Sequence, residues 1–276
     1  MGKDIVYGQY YPASSFIHKL DPRLKLFAAV VFIAAIFVCD AFYSYAACYA
    51  FLFIIIWVSK VPLLSVLRTI KAVLFIVILT AVINVFFYKD GTVLAEWKIF
   101  RITDAGLIYA AKMALRILFL VISTSMVSFT STPMALTDGM ESLMKPLKLL
   151  RFPVHDVAVI MSTALRFIPT LMEEVNKIIM AQKARGAHFD NGGLLKRAKA
   201  LLPVLIPLFV STFRRADELA MALDARCYNA TPHRTKMKPL RFTYRDLIAL
   251  ILLAIFLTII ILLKVGFFGL IPQGTI

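Results

Sequence analysis

Two short segments of the sequence repeat one pattern of small and charged residues. Residues 180–185 and 221–226 both read Met-Ala-x-x-Ala-Arg. Because residues i and i+4 share a face of a helix, each segment places an alanine beside its arginine. Alanine lets another surface approach the backbone, and the planar guanidinium group donates paired hydrogen bonds to carboxylates or carbonyls. The chemistry that this pattern predicts is binding to a partner surface.

A simpler interpretation is that the pattern only supports a helix. Alanine and arginine are both strong helix formers, and basic residues are common in the cytoplasmic segments of membrane proteins. For one copy alone, the two interpretations are equally supported. Two copies, each near the end of a predicted helix, favour the contact interpretation.

The remaining reactive side chains show no spacing typical of catalysis or metal binding. The sequence contains no H-E-x-x-H zinc motif and no G-x-x-x-x-G-K-[ST] phosphate loop, so the chain is predicted to be neither an enzyme nor an ATPase. Cys39 and Cys48 lie in apolar sequence, where packing is favoured over a disulfide between them. We expect no catalytic residue, no metal and no cofactor bound by this chain. The histidines are interpreted as surface or interface residues: His18, His155, His188 and His233.

The composition indicates that most of the chain lies in a lipid bilayer. Hydrophobic residues make up 61% and charged residues 17% of the 276 residues, against about 45–50% and about 25% in soluble domains. A helix needs about 20 apolar residues to cross the hydrocarbon layer. The runs that approach this length are Leu26–Cys39, Ala41–Ser59, Ala72–Tyr88, Ala105–Thr130 and Leu247–Leu263. We predict an all-α integral membrane protein with about five transmembrane helices.

Charged or polar residues lie just before the first run and inside the fourth run. Asp21 is a good N-cap and Pro22 suits the first helical position, so the first helix is predicted to begin there. Lys112 and Arg116 lie one turn apart in the fourth run, where an ionisable group is a candidate functional residue. The structural alternative, in which both side chains reach the head groups or pair within the bundle, is favoured.

The distribution of charge between the runs predicts the orientation of the chain. Lys60, Arg68 and Lys71 follow the second run without an acid, whereas cations and acids balance after the third run. The positive-inside rule then places the N-terminus in the cytoplasm and the C-terminus outside. The predicted regions are 1–130 with four transmembrane helices, 131–244 in the cytoplasm and 245–276 with the last transmembrane helix.

The cytoplasmic region contains two long helical patterns. Residues 156–186 and 194–227 interleave apolar and charged positions, as half-buried amphipathic helices do. Prolines lie inside both patterns, and they are expected to bend the helices. These are Pro169, Pro203 and Pro207. The two repeated segments fall at the ends of these helices.

Several signatures, in order along the chain, resemble the T component of energy-coupling factor (ECF) transporters, the vitamin and micronutrient importers. They are "GQYYPASSFIHKLDPRLK", "TSTPMALTDGMESLMKPL", "FPVHDVAVIMSTALRFIPTLMEE" and two Ala-Arg-Gly-type motifs. The motifs are Ala184-Arg185-Gly186 and Ala225-Arg226-Cys227. The resemblance implies that the two long helices are coupling helices whose motifs dock into grooves on two ATP-binding-cassette ATPases of the EcfA and EcfA′ type. The first signature is more similar to the shared, group II type.

The resemblance also implies a function without catalysis by this chain. The two ATPases would use ATP and Mg, a separate membrane-embedded S component would bind the substrate, and this chain would couple them in the prokaryotic plasma membrane. The alternative is a self-contained channel or secondary carrier, which would be expected to show a polar path or an inverted repeat across the bilayer. Topology and an acidic groove on the partner account for the net charge of +15, so no nucleic acid partner is expected.

The second motif departs from the family pattern, which usually has glycine where this chain has Cys227. A left-handed helix cap suits Gly186 but is costly for a residue with a side chain. We therefore expect the second helix to continue at least to Cys227 and to end near Asn229.

Overall fold

The computed structural model describes residues 10–39, 41–87, 92–97, 100–146, 153–187, 189, 193–228 and 240–265, with the backbone alone for 93–97, 100–102 and 194–198. Its helices are α1 (Pro22–Val38), α2 (Phe42–Ser59), α3 (Leu63–Phe87), α4 (Asp104–Thr130), α5 (Pro133–Leu143), α6 (Val154–Ala184), α7 (Leu194–Ala225) and α8 (Tyr244–Val265). Strands β1 (Val93–Trp97) and β2 (Phe100–Thr103) form a short antiparallel pair between α3 and α4. The predicted helical membrane fold is confirmed, and within the described residues this hairpin and α5 are additions to it.

Five described helices are long and apolar enough to cross a membrane, namely α2, α3, α4, α6 and α8. Four of them correspond to predicted spans. The predicted first span, α1, has 17 residues and is therefore only about 26 Å long. α6 qualifies although we predicted it as an amphipathic helix of the cytoplasmic region, because only Asp156 and Arg166 precede Glu173 along its length.

α3 begins nine residues before the predicted Ala72. Arg68 and Lys71 therefore lie inside the helix and not in a loop, which corrects the boundary that we predicted. Arg and Lys are good helix formers, and both side chains are exposed, so they can extend along the helix toward a polar boundary.

The start of α1 is as predicted. The Asp21 carboxylate accepts a hydrogen bond from the backbone N–H of Arg23 at 2.9 Å, and Pro22 occupies the first turn. α5 approaches this turn so closely that a Cβ added at Gly139 would lie 3.0 Å from the Cβ of Pro22. A side chain at this position would therefore crowd the first turn of α1.

The chain divides into two compact units, residues 1–154 with 240–276 and residues 155–239. In the first unit α4 contacts α1, α2 and α3, and α8 contacts α1 and α2. Phe256 of α8 joins the core by stacking on Phe51 at 4.5 Å between ring centroids and meeting Phe32 edge-on at 5.3 Å. The predicted division at residues 130 and 244, which was based on membrane location, stays a prediction.

Arg116 of α4 holds the end of α1 and the start of α2. Its guanidinium group donates to the carbonyl oxygen of Cys39 at 3.3 Å and to the hydroxyl of Tyr45 at 3.0 Å. The Lys112 ammonium lies 5.5 Å from the centroid of the Phe42 ring. These contacts favour the structural interpretation of both cations.

The predicted packing role of the first two cysteines agrees with the structure. Cys39 and Cys48 are buried free thiols whose sulfur atoms lie 3.6 Å apart.

Two of the four histidines, His188 and His233, lie outside the described residues.

The buried Lys25 connects the first turn of α1 to the end of α4. Its ammonium group donates to the carbonyl oxygen of Thr130 at 2.8 Å, to that of His18 at 3.2 Å and to the hydroxyl of Ser131 at 3.2 Å. Three donors of the ammonium group thus meet three acceptors, which offsets the cost of burying its charge. Lys25 of the signature near the start of the chain therefore contacts Thr130 and Ser131 of the signature that begins at the end of α4.

His18 orders the segment before α1. Its Nε2 donates to the carbonyl of Tyr11 at 3.0 Å, so its Nδ1 is the atom that accepts from the Ser15 hydroxyl at 2.7 Å. Burial lowers the pKa of His18 below its usual value, which favours this neutral form.

Asp246 links the start of α8 to the start of α1. One carboxylate oxygen accepts from the backbone N–H of Asp21 and the other from that of Thr243, both at 2.8 Å. The side chain is buried. The two helix ends, which are far apart in sequence, therefore depend on one carboxylate.

We expect Asp246→Ala to destabilise the protein by about 2–4 kcal/mol, because it leaves the buried backbone donor of Asp21 and the donor of Thr243 at the start of α8 without their acceptor. The free energy of unfolding in detergent measures this. Thr258→Ala on the same helix removes an exposed hydroxyl that bonds only to its own helix, and it should change stability by less than about 0.5 kcal/mol. Equal stability of the two variants would contradict the role assigned to Asp246.

Candidate functional site

Both repeated segments form the last turn of a helix in the second unit. α6 ends at Ala184 and α7 ends at Ala225. In each case the next residue is the arginine of the motif. The sequence therefore predicted correctly that both motifs lie at helix ends.

The first end closes in a Schellman motif. The backbone N–H of Gly186 donates to the carbonyl of Lys183, and that of Ala187 donates to the carbonyl of Gln182, both at 3.0 Å. Gly186 has a φ of 84°, in the left-handed region. Glycine reaches this conformation without steric cost.

The second end closes in the same way. The N–H of Cys227 donates to the carbonyl of Asp224, and that of Tyr228 donates to the carbonyl of Leu223, both at 2.9 Å. Cys227 has a φ of 52°. The two hydrogen bonds of the Schellman motif are therefore the same at both ends.

The prediction that α7 continues to Cys227 is wrong. The helix ends at Ala225 with Arg226 as its C-cap, and Cys227 takes the left-handed conformation that glycine takes in the first motif. A side chain there costs about 1–2 kcal/mol, whereas the cap forms two hydrogen bonds of about 0.5–1.5 kcal/mol each. The hydrogen bonds therefore offset the strain. Asn229, the end that we predicted, lies outside the described residues.

The two ends also present the same positions to their surroundings. From residue 180 to 187 and from 221 to 228, equivalent residues are exposed or half-buried alike. Met180 is 63% exposed and Met221 is 64% exposed. Arg185 and Arg226 are exposed, and within the described residues neither guanidinium group has a hydrogen bond or ion pair. Both arginines are available to a partner.

An ion pair joins α6 and α7 at equivalent positions of the repeat. Glu174 Oε2 lies 2.9 Å from Arg215 Nη2, and Glu174 Oε1 accepts from the Ser211 hydroxyl at 2.6 Å. Glu174 precedes Arg185 by eleven residues, and Arg215 precedes Arg226 by the same number. A contact between equivalent residues is what a local two-fold relation between the two helices produces.

A second contact shows that the helices run antiparallel. Gln182, eight residues after Glu174, donates through Nε2 to the carbonyl of Pro203, eight residues before Ser211, at 3.4 Å. We call residues 175–187 the first arm and residues 216–228 the second arm. Each arm's helix extends ten residues beyond the ion pair, or about 15 Å. The motif ends therefore lie on opposite sides of the crossing, up to about 30 Å apart.

The three prolines lie inside helices, as predicted, and all precede the ion pair in their helix. Pro207 lacks the N–H that would bond to the carbonyl of Pro203. The Gln182 side chain supplies a donor to that carbonyl instead. The bends expected at Pro169, Pro203 and Pro207 stay a prediction, and the proline-free arms are regular helix up to their caps.

An open cleft of about 410 Å³ lies beside the crossing and is lined by residues of both signs, including Glu173, Lys177 and Arg215. Sequence reasoning missed this crossing. The signal that was present is the equal spacing of Glu174 and Arg215 from the two motif arginines. In an antiparallel pair of helices, equivalent positions meet where a local two-fold axis passes between the helices.

The caps can be tested by exchanging glycine and cysteine. We expect Cys227→Gly to protect the amides of residues 227 and 228 more strongly against hydrogen exchange, by up to about 1 kcal/mol, because the strain of the side chain is removed. Cys227→Ser keeps a Cβ and should match the unchanged protein. Gly186→Cys should cost about 1 kcal/mol at the first cap, since an added Cβ there meets no atom within 4 Å. Weaker protection in Cys227→Gly would show that the thiol itself holds the cap.

The crossing can be tested by charge reversal. Spin labels at Met180 and Met221, with Cys227→Ser to remove the exposed thiol, report the distance between the arms. We expect Glu174→Arg to broaden the distance distribution and Glu174→Arg/Arg215→Glu to narrow it again. The pair is 31% and 26% exposed, so its contribution is at most about 1 kcal/mol. Glu173→Arg is the neighbouring control, and broadening there of equal size would show that the ion pair does not hold the crossing.

Comparison with known proteins agrees with these observations. Residues 13–237 match the cobalt transport protein family, CbiQ. The chain is 46% identical over 268 residues to a protein of Ruminiclostridium cellulolyticum, covering 97% of this chain and 100% of that protein. It is 46% identical over 266 residues to one of Clostridium kluyveri (96% and 98% covered) and 38% identical over 257 residues to one of Bacillus subtilis (92% and 97% covered). All three are named energy-coupling factor transporter transmembrane protein EcfT. This chain therefore belongs to the family of T components of energy-coupling factor transporters, which are multi-pass proteins of the prokaryotic plasma membrane.

Proposed function

We propose that this chain couples ATP hydrolysis by two ATP-binding-cassette ATPases to the uptake of a vitamin or micronutrient through a separate, membrane-embedded S component. The observation that carries the proposal is the pair of equivalent helix ends. Each presents an exposed arginine beside an exposed alanine, on opposite sides of the crossing between α6 and α7. One such end per ATPase gives the chain two separate points of attachment.

The chemistry of each end suits a groove lined by carboxylates. The alanine lets the wall of the groove approach the helix, and the arginine donates charge-assisted hydrogen bonds to acids inside it. The cap turns the backbone away directly after the arginine, which leaves the end free to insert. ATP and Mg belong to the ATPases in this proposal, and this chain binds neither. The docking residues are Ala184, Arg185, Gly186, Ala225, Arg226 and Cys227.

The apolar surface of α7 supports a second partner. One stretch of this helix exposes seven large apolar side chains that the second unit does not cover: Leu201, Leu202, Leu205, Ile206, Phe209, Val210 and Phe213. An apolar patch of this extent is covered by lipid or by another protein. The S component, itself a membrane protein, is the partner that we assign to it. Bends at the prolines of α6 and α7 would carry motion of the docked ends toward this surface.

The alternative, a self-contained channel or secondary carrier, is less well supported. The first unit contains a cavity of about 280 Å³ between α1, α2, α4 and α8, and its lining is apolar except for Lys25, Ser123 and Thr130. The ammonium group of Lys25 is engaged in the hydrogen bonds described above. Among the described residues this cavity offers no continuous polar path of the kind that a carrier requires.

The orientation follows from the position of the proposed docking ends. ATPases that use cytoplasmic ATP require both motifs on the cytoplasmic side, in agreement with the distribution of basic residues. With four spans before the motifs and one after them, the N-terminus is then in the cytoplasm and the C-terminus is outside. In cells that express the chain without its ATPases, accessibility of Cys227 to a membrane-impermeant thiol reagent in inverted vesicles, but not in intact cells, is the expected sign of this topology.

We expect Arg185→Ala and Arg226→Ala each to weaken ATPase docking by about 2–5 kcal/mol, because each leaves a buried carboxylate in the groove without its partner. Lysine should rescue poorly, since it cannot donate the paired hydrogen bonds of a guanidinium group. The measurements are the amount of ATPase that copurifies with the chain and ATP-dependent substrate uptake.

Arg214→Ala provides the matched control, because it removes an exposed arginine of α7 outside the motif. It should leave both measurements unchanged. An intact complex with normal uptake in Arg185→Ala/Arg226→Ala would overturn the docking proposal. Uptake by the chain alone, in vesicles without any ATPase, would support the carrier alternative instead.

A further inference from the structure

The two arms have the same backbone conformation at their ends and the same motif arginine. At their other charged positions they carry opposite charges. The first arm has three cations and no acid, and the second arm has three acids and one cation. These residues are Lys177, Lys183 and Arg185 in the first arm, and Asp217, Glu218, Asp224 and Arg226 in the second. Equivalent ends of one repeat therefore differ strongly in electrostatic potential.

The reversal occurs at equivalent positions. Lys177 corresponds to Glu218 and Lys183 corresponds to Asp224 in the repeat, and all four side chains are exposed. Within the described residues none of them takes part in a hydrogen bond or ion pair. Their charges are therefore directed at whatever binds the arms.

The stability of the helices does not explain the charge of Asp224. The last turn of a helix favours cations, because its unpaired carbonyls carry partial negative charge. Lys183 agrees with this rule and Asp224 opposes it. Asp224 also has no cation three or four residues away on its helix, so no local pair compensates for its position.

We propose that these reversed charges assign each motif end to a different one of two non-identical ATPase subunits. The first arm binds the subunit whose groove has acids at its rim as well as inside. The second arm binds the subunit whose groove has basic side chains at its rim around the acid that receives Arg226. If each arm bound the other subunit instead, like charges would face each other at both ends. Their repulsion disfavours this arrangement. This inference rests on the proposed docking of two ATPases.

The experiment identifies which subunit each arm contacts in the complete transporter. A photoreactive amino acid replaces Met180 in one preparation and Met221 in another, and mass spectrometry identifies the cross-linked ATPase. With the natural charges, we expect position 180 to capture one subunit and position 221 the other, each with a preference of about tenfold or more.

The charge-exchanged variant Lys177→Glu/Lys183→Asp/Glu218→Lys/Asp224→Lys should reverse or abolish this preference. The neutral variant Lys183→Gln/Asp224→Asn should weaken it without reversing it, and it disturbs folding less. Glu173→Arg/Arg214→Glu is the matched control, because it reverses two exposed charges next to the crossing, outside both arms. This control should retain the full preference.

The outcomes separate the two proposals. Capture of no ATPase at either position would overturn the docking proposal itself. Capture of the same subunit at both positions, or a preference that survives both the exchanged and the neutral variants, would leave docking intact and overturn the assignment by charge.

Discussion

The carbonyl groups in the last turn of a helix need hydrogen-bond donors, and this constraint determines how the motif residues are presented. At the ends of α6 and α7 the chain satisfies it by folding back on itself after the motif arginine. The reversal requires one residue in the left-handed conformation, which is Gly186 at one end and Cys227 at the other. Because the backbone turns away at that point, alanine and arginine form the exposed tip of each helix.

In the second unit, one sequence pattern forms two equivalent helix ends. Glu174 and Arg215 fix the crossing, and equal lengths of helix separate them from the two tips. Proline occurs only before the crossing in each helix, so the segments that bear the tips are unbroken. The geometry is alike at both ends, so the difference between them lies in their charges, as Lys183 and Asp224 illustrate.

In the first unit, a small number of polar contacts specify an otherwise apolar arrangement. Apolar helix faces pack in many ways at similar energy, whereas a buried charge is tolerated only where its partners are in place. Lys25, Asp246 and Arg116 each bond to backbone groups of other segments. They therefore fix which helix ends meet. The signature near the start of the chain and the one after α4 are explained by these contacts within the first unit, since Lys25 joins residues of both.

The sequence by itself determined the helical membrane fold, the start of α1 at Asp21, and the position of both motifs at helix ends. These properties depend on composition, periodicity and local capping, all of which are local along the chain. Pattern also placed the three prolines inside helices. The predicted start of α3 was wrong, because we assigned the basic residues near its start to a loop. Arginine and lysine are good helix formers, and the helix includes them.

Only the tertiary structure decided the rest. The conformation of Cys227 depends on two hydrogen bonds to carbonyls that outweigh the strain of one side chain, a balance that residue preference alone does not reveal. The pairing of Glu174 with Arg215 and the approach of Gln182 to Pro203 join residues that are distant in sequence. Such contacts depend on how two helices cross. Sequence periodicity describes each helix alone and does not give the position of one helix relative to the other. Only the crossing shows that the two oppositely charged arms end on opposite sides of it.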